Sequence, residues 1–446
     1  MTDGLRRTLG TLDLTLLTIG LVIGSGIFIV PAVVLRSSGG SMTLALSIWV
    51  VGGLLSLLGA LTYGELGAMD GGSGGLYSYL RDAFGPFPAF LYGWTLLLVL
   101  ATGSVATLAA AAAQYFGEFV TLGPLAKKLF SVGVIAVLGV INVLGTRKSA
   151  NLQNVATGIK VSAIIVMSGL LIALGSGGAA ADATPAAATP SFMAGAGVAM
   201  IAVLWAYEGW QYTTFAAGEA LNPQRDFPRA LITGALILIA LYVLANIAYV
   251  ASLGGARVAA SERVAAEAVT TVVGPTAGRL VAAAIMISMF SAALSIVITA
   301  PRVYYTMARD GLFFSKLAEV HPRYGTPAFA IVVSTLWAMA LAYTGTFQQL
   351  LTYVVFVGWM FYGVGAMAVI VLRRKRPNAV RPFRVPGYPW TPVVFTLAAV
   401  AIVLNTVFMQ PRDVALGLLI VALGAPAYWL WRRRRVAPIA AAVARN

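Results

Sequence analysis

The stretch Leu12–Leu35 reads LDLTLLTIGLVIGSGIFIVPAVVL, and Gly24-Ser25-Gly26 interrupts it near its middle. At about 1.5 Å of rise per residue, such a run is long enough for a helix that crosses the roughly 30 Å hydrocarbon core of a bilayer. Glycine inside a helix costs about 1 kcal/mol relative to alanine. A serine between two glycines therefore invites the backbone to unwind at mid-depth. Unwound backbone is tolerated in a membrane only where it is buried in protein or lines a cavity. Two readings of the break stand at this point. Small residues let two helices pack closely. Equally, a break bares the N–H groups of the half-helix that begins near Ile27. Together with the positive end of the helix dipole these form a receptor for a carboxylate, with the Ser25 hydroxyl as a further donor.

The rest of the chain fits a membrane setting. Of its 446 residues 59% are hydrophobic and 10% charged, with a mean hydropathy of +0.88. No soluble core absorbs that much apolar surface, so the expected fold class is an all-α polytopic membrane protein. There are no cysteines, which excludes a disulfide-linked partner and a thiolate metal site. The single histidine, His321, excludes a histidine cluster, so neither metal nor cofactor is expected. No nucleophile elbow or paired catalytic carboxylates occur. Gly71-Gly72-Ser73-Gly74-Gly75 lacks the lysine and strand context of a phosphate loop. The sequence thus argues against an enzyme. The first apolar run has no small-residue cleavage site after a short core, so it reads as a retained span and not a signal peptide.

Twelve candidate spans follow, near 12–36, 42–68, 87–117, 125–145, 152–175, 192–218, 229–253, 276–307, 328–345, 348–372, 391–409 and 413–431. With both termini on the cytoplasmic side, most of the 30 lysines and arginines fall inside. Only Arg36, Lys127, Lys128, Arg257, Arg263, Arg279 and Arg412 fall outside, and Lys160 lies within a span. This asymmetry obeys the positive-inside rule and assigns the net charge of +15 to topology, not to nucleic acid. The chain divides into a cytoplasmic N-terminus (1–11), spans 1–5 (12–175), an outer loop (176–191), spans 6–10 (192–372), a basic inner loop (373–390), spans 11–12 (391–431) and a cytoplasmic tail (432–446). A second outer loop, 254–274, has room for a short surface helix, and the tail beyond Arg435 is expected to be disordered.

A second interruption, Tyr207-Glu208-Gly209-Trp210, falls in the sixth run. Interrupted spans at corresponding places in two halves of a membrane protein point to a transport site. Five spans separate the breaks, so two such halves have opposite orientations, which permits a five-plus-five inverted repeat. The half-span ending near Trp205-Ala206-Tyr207 presents carbonyls and the negative end of its dipole, suited to an ammonium group. A zwitterion between the breaks has both charges met by backbone, and this tips the first break towards the carboxylate reading. Glu208 and Lys160 are the ionisable groups well inside the runs. Burying a carboxylate is costly unless it is paired or protonated. Glu208 is therefore a candidate for a cationic substrate group, for proton coupling, or for a structural hydrogen bond. Lys160 stands where a cation could bridge spans 1, 5 and 8, near span 1 carbonyls and the hydroxyls of Ser291 and Ser295. It could equally snorkel or hold helices together. Trp205, Tyr207 and Trp210 flank the second break as candidates for a gate or wall. Glu65, Glu219 and Asp226 sit near inner ends of spans and read as members of a cytoplasmic gate or as solvated charges.

Several segments together resemble the amino acid–polyamine–organocation superfamily of permeases, and within it the bacterial relatives of L-type amino acid transporters. They are Ile23-Gly24-Ser25-Gly26-Ile27-Phe28, Tyr63-Gly64-Glu65-Leu66, Ser73-Gly74-Gly75-Leu76-Tyr77, Trp205-Ala206-Tyr207-Glu208-Gly209-Trp210, and Gly218-Glu219-Ala220-Leu221-Asn222-Pro223. Pro301-Arg302-Val303-Tyr304, Ala308-Arg309-Asp310-Gly311, His321-Pro322 and Thr326-Pro327 complete the set. The resemblance implies an inverted repeat with broken helices 1 and 6, two further helices, and alternating access by a rocking bundle. It implies that Gly24, Ser25 and Gly26 bind the substrate carboxylate. It implies that carbonyls at Ile23, Trp205, Ala206 and Tyr207 take the amino group, and that Trp205, Glu208, Gly209 and Trp210 form the side-chain pocket and gate. Lys160, with Ser291 and Ser295, takes the coupling role of sodium-independent members. Many relatives have a small residue where this chain has Glu208, while some carriers of cationic amino acids have an acidic one. The expected function is sodium-independent transport of α-amino acids across a bacterial inner membrane, by exchange or proton coupling, with cationic side chains accepted through Glu208 as one reading. A polyamine or organic-cation carrier and a non-transporting sensor are the alternatives. The partners expected are a small-molecule substrate and the lipid bilayer, with the oligomeric state open.

Overall fold

The computed structural model describes residues 8–69, 74–144, 149–175 and 192–443. Arg6, Arg7, Arg147, Lys148, the expected outer loop 176–191 and the start of the glycine-rich loop lie outside the described residues. The first run forms α1 (Thr11–Val22) and α2 (Gly26–Ser37), bent by 49° at the anticipated break. Next come α3 (Met42–Met69), the short α4 (Leu76–Phe84) and α5 (Pro86–Thr95), which passes through a π-turn, Leu96–Leu100, into α6 (Ala101–Phe116). The threonine at 102 fills that wide turn, donating its hydroxyl to Leu97 O at 2.8 Å. The alanine-rich α6 has few bulky side chains to hold its neighbours away. Its span is accordingly the most enclosed, with 89% of its apolar window buried.

Then α7 (Pro124–Leu144), α8 (Ser149–Leu174) and α9 (Phe192–Ala206) follow. Beyond the second break the chain runs as a ten-residue 3-10 segment, Trp210–Glu219, where the sequence suggested a continued α-helix. Gln211, Thr213 and Thr214 offer side chains that compete for backbone partners, and Thr214 Oγ1 donates to Gln211 O at 2.6 Å. Further along lie α10 (Pro223–Leu253), α11 (Gly255–Ala260), α12 (Val264–Val272), α13 (Pro275–Thr299), α14 (Pro301–Arg309), α15 (Ala328–Thr344), α16 (Phe347–Lys375), α17 (Trp390–Met409) and α18 (Pro411–Val443). The expected outer loop 254–274 thus holds two short helices. As far as Val443 the tail continues α18, where the sequence reads as disordered beyond Arg435.

This is a polytopic helical membrane protein. Among the described residues nine helices are long and apolar enough to span a membrane, ten when the bent α1–α2 pair counts as one. The expected spans at 192–218 and 328–345 are occupied by α9 with its 3-10 continuation and by the 17-residue α15.

The two ends of the bundle are closed differently. At the end carrying Leu9, the chain before α1 zips onto the segment after the second break. Thr8 N and Leu9 N both donate to Glu219 O at 2.9 Å, and Leu221 N donates to Leu9 O at 2.9 Å. Ion pairs surround this zip. Arg302 meets Glu219 at 2.8 Å, and Arg81 meets Asp310 at 2.7 Å. Burial opposes the charge on Arg81, but its hydrogen bonds to Asp310 and Asp82 and their charges hold its pKa above the ordinary value. Glu65, fully buried on α3, accepts Arg373 Nε at 2.9 Å and Arg373 Nη2 and Val385 N each at 2.7 Å, with Arg381 Nε 3.4 Å away. The expected gate residues Glu65 and Glu219 therefore do engage basic partners. Asp226 instead accepts Thr11 Oγ1 at 2.7 Å, with Arg225 3.7 Å away. At the other end α11 and α12 lie over α2. Arg36 Nη1 donates to Ala259 O at 2.6 Å, and Arg263 pairs with Glu118 at 2.8 Å.

Candidate binding site at the two helix breaks

The two breaks dock on each other backbone to backbone, and two glycines make this possible. Gly209 has φ of +129°, a conformation that side-chain-bearing residues rarely adopt. A Cβ there would lie 2.7 Å from Leu21 O and 2.8 Å from Leu21 C. At the other break a Cβ on Gly26 would run into the backbone of Ala206. Each break thus supplies the glycine against which the other's backbone rests.

Within the first break Gly24 N donates to Val22 O at 2.8 Å, so one of the three anticipated amides is committed. Ser25 caps α2, and Gly26 and Ile27 are its first residues. Amides at these positions have no preceding carbonyl in register. The indole Nε1 of Trp205 donates to Ser25 Oγ at 3.2 Å, tying the end of α9 to the start of α2. Of the carbonyls expected to take an ammonium group, those of Ile23, Trp205 and Ala206 already have partners, Trp205 O accepting Glu208 N at 3.0 Å. Ile23 O accepts Lys160 Nζ at 3.3 Å and Ser288 Oγ at 3.2 Å. Ala206 O accepts the Tyr242 hydroxyl at 3.0 Å. A carbonyl oxygen has two lone pairs, and Ala206 O spends one of them on Tyr242.

Lys160 sits where the sequence put it, buried on α8, with Nζ also 3.4 Å from Gly20 O. It bridges the carbonyl of Gly20 in α1 and that of Ile23, the residue that caps it. The hydroxyl that joins it on α13 is a correction to expectation. Ser295 Oγ donates to Gln153 Oε1 at 3.1 Å and to Ser291 O at 3.0 Å, and the contact to Ile23 O comes from Ser288, two turns before Ser295. Seven residues along a helix return to nearly the same face, so the face was legible and the depth was not.

Glu208 is buried at the second break. Its Oε1 accepts the Tyr362 hydroxyl of α16 at 2.6 Å and also the side-chain amide of Gln211. That amide donates in turn to Tyr362 Oη at 2.8 Å, while Gln211 Oε1 accepts Gly209 N at 3.1 Å. Among the described residues no lysine, arginine or histidine pairs with Glu208. Trp210 packs edge-on against Tyr63, ring centroids 5.1 Å apart. Tyr207 stacks at a tilt on Tyr242 at 5.0 Å.

A cavity opens between the breaks. It is lined by Leu21, Val22, Gly24, Ser25 and Gly26 of the first, by Trp205, Glu208, Gly209 and Tyr212 of the second, and by Ser104, Leu108 and Ile296 of α6 and α13. Its void, open mouth included, is about 310 Å³. Of the anticipated site residues, Gly24, Ser25, Gly26, Trp205, Glu208 and Gly209 line it. Ile23, Ala206, Tyr207 and Trp210 stand behind the wall, and Lys160 braces the first break from outside it. Sequence reading missed Leu21, Val22, Ser104, Leu108, Tyr212 and Ile296. Ser104 lies in a run of small residues with no local signal, and Tyr212 follows the break by one turn of a segment taken for helix.

Comparison with known proteins identifies the relatives of this chain. A family model described as "Amino acid permease" matches residues 9–424. The serine/threonine exchanger SteT of Bacillus subtilis (strain 168) is 31% identical, covering 97% of this chain and 98% of its own. The b(0,+)-type amino acid transporter 1 of Mus musculus is 32% identical over 92% of this chain and 84% of its own. The human cystine/glutamate transporter is 32% identical over 96% and 85%.

Proposed function

The chain belongs to the amino acid permease family, a family of carriers and not of enzymes, and from that premise we propose that it moves α-amino acids across a bacterial inner membrane by alternating access, without sodium. What carries this reading is the cavity bounded by both breaks. It has helix N-terminal amides on one side, backbone carbonyls behind it and a carboxylate at the end of the second break. In this reading the substrate carboxylate meets the amides of Ser25 and Gly26, with the Ser25 hydroxyl beside them. The ammonium group meets the remaining acceptor capacity of carbonyls at the second break, Ala206 O among them.

Lys160 supports the sodium-free part. Its ammonium already occupies Gly20 O and Ile23 O, where a mobile cation would otherwise bridge α1 to α8 and α13. The two breaks lie five spans apart, which supports reading spans 1–5 and 6–10 as an inverted repeat with spans 11 and 12 outside it. The basic end that carries Leu9, Arg81, Arg302 and Arg373 is then cytoplasmic by the positive-inside rule. The zip between Leu9 and Ala220 closes the cytoplasmic path, and the Trp205–Ser25 hydrogen bond narrows the outer one. Glu208 faces the cavity without a cationic partner, which supports its acting as acceptor for a donor group on the substrate side chain, cationic side chains included.

Purified protein in liposomes preloaded with an α-amino acid is expected to show saturable counterflow in sodium-free buffer. An absolute need for sodium overturns the role given to Lys160. Competition by simple amines as strong as that by amino acids favours an organic-cation carrier, which has no use for the amide end of the site. Absence of counterflow for every amino acid and amine favours a sensor.

A further inference from the structure

The segment 373–390, from the last turn of α16 to the first residue of α17, carries six lysines and arginines and no acidic residue. It is pinned to the bundle at one buried carboxylate. Glu65 Oε2 accepts both Arg373 Nη2 and Val385 N at 2.7 Å, so the two sides of the loop meet at a single oxygen. The Tyr388 ring lies over the Arg373 guanidinium, its centroid 3.7 Å away. Arg381 ties the loop to itself, donating to the carbonyls of Leu372 and Arg376 at 3.1 and 2.9 Å. Lys375 donates to Ala83 O at 2.8 Å, and Arg376 pairs with Asp82 of α4 at 3.1 Å. Four of the six cations are thus held by the protein. Arg374 and Arg384 are not: both are exposed, and neither makes a hydrogen bond or ion pair among the described residues. Each adjoins a residue bound to Glu65 Oε2, which brings their backbones together. Two large apolar side chains share the same surface, Val380 at 82% exposure and Trp390 at 70%.

We propose that this loop is a docking surface for an acidic phospholipid, with Arg374 and Arg384 on the phosphate and Trp390 against the glycerol and upper acyl chains. The inference goes beyond the transport reading and does not depend on the substrate carried. A bias in loop charge accounts for the number of cations here. It does not account for four being locked to the protein while two stay free beside an exposed tryptophan. Both α16 and α17 are long and apolar enough to cross the membrane, so the loop that joins them stands at headgroup level, where tryptophan is favoured. Guanidinium groups match the oxygens of a phosphate in geometry as well as charge. The loop is already ordered by Glu65 and by its own hydrogen bonds, so docking has little ordering cost to meet. The apolar side chains select a lipid over a soluble anion, which has no use for them. A lipid seated here braces the end of the bundle where Glu65 and Asp82 hold α3 and α4 to the loop.

The test titrates the full chain, stripped of lipid in detergent, with phosphatidylglycerol and with phosphatidylcholine of the same acyl chains, and counts bound lipid by native mass spectrometry. Two arginines at the membrane surface correspond to a preference of roughly thirtyfold for the acidic lipid. Arg374→Gln/Arg384→Gln is expected to lose most of that preference. Arg279→Gln/Arg412→Gln removes the same charge from exposed positions at the opposite end of the bundle and is expected to keep it. The inference is overturned if wild type binds the two lipids equally, a result that needs no variant to fold. It is also overturned if Arg374→Gln/Arg384→Gln keeps the wild-type preference, or if both double variants lose it to the same extent. Displacement of the bound acidic lipid by inorganic phosphate at equal concentration reassigns the arginines to a soluble anion and overturns it as well.

Discussion

Replacing Gly209 by alanine probes the contact on which the whole site depends. The substitution forces a β-carbon into a φ of +129° and to 2.7 Å from Leu21 O. The backbone conformation costs about 1–3 kcal/mol for a residue other than glycine. The overlap is with main-chain atoms that no rotamer change moves, and overpacking of this kind costs about 1–3 kcal/mol more. Against this stands a gain of about 0.4–1 kcal/mol from the stiffer unfolded chain. The net is a loss of about 3 kcal/mol, or a displacement of the second break away from α1 that relieves it. With about 2.1 cal/mol/K of unfolding entropy per residue, a chain of 446 residues shifts its melting temperature by about 1 °C per kcal/mol. The assay is thermal unfolding in detergent with sodium-free counterflow on the same preparation. Gly209→Ala is expected to melt about 3 °C below wild type and to lose most of its counterflow. Gly133→Ala is the control: Gly133 lies within α7 with nothing within 4 Å of the added carbon, so the same substitution is expected to leave transport intact and raise stability slightly. A Gly209→Ala protein that melts and transports like wild type refutes the claim that the breaks rest on one another's backbone.

Other perturbations test other parts of the argument. Lys160→Met removes the donor to Gly20 O and Ile23 O; since hydrogen bonds to charged groups contribute about 1.5–3 kcal/mol each, sodium-free counterflow should fall at least tenfold, and unchanged rates would show that the ammonium is a bystander. Glu65→Gln leaves the buried Arg381 side chain, 7% exposed, without its counter-charge. Breaking such a pair costs about 3–5 kcal/mol, so the melting temperature should drop by about 3–5 °C, whereas Arg302→Gln, in a more exposed pair, should cost no more than about 1 kcal/mol. Equal shifts for the two variants would count against the buried clamp. Glu208→Gln should lower lysine and arginine uptake relative to alanine, measured in competition, and an equal effect on all three would assign Glu208 to structure alone.

What the sequence revealed and what it hid follow from the range of the interactions involved. The class of fold was legible because length and hydropathy of a span are local properties, and so was the first break, because two glycines around a serine weaken a helix wherever they stand. Lys160 and Glu208 were conspicuous for the same kind of reason, a charge inside an apolar run. The partners of these residues were not legible. That Ile23 O meets Ser288 and not Ser295 depends on how far α13 slides along α1, and two serines seven residues apart on one helix face are equivalent until that depth is known. The 3-10 course after Gly209 was hidden because it comes from side chains that compete for backbone groups, Thr214 onto Gln211 O and Gln211 onto Gly209 N, within a run whose composition still allows α-helix. That course also sets where Tyr212 points. A 3-10 turn advances about 2 Å per residue against 1.5 Å for an α-helix, so a residue three places beyond Gly209 travels about 1.5 Å farther along the axis and rotates by roughly 60° more. This brings the tyrosine hydroxyl to the cavity wall beside Ser104. The local 3-10 course, and not composition, therefore decides that Tyr212 is among the residues lining the cavity.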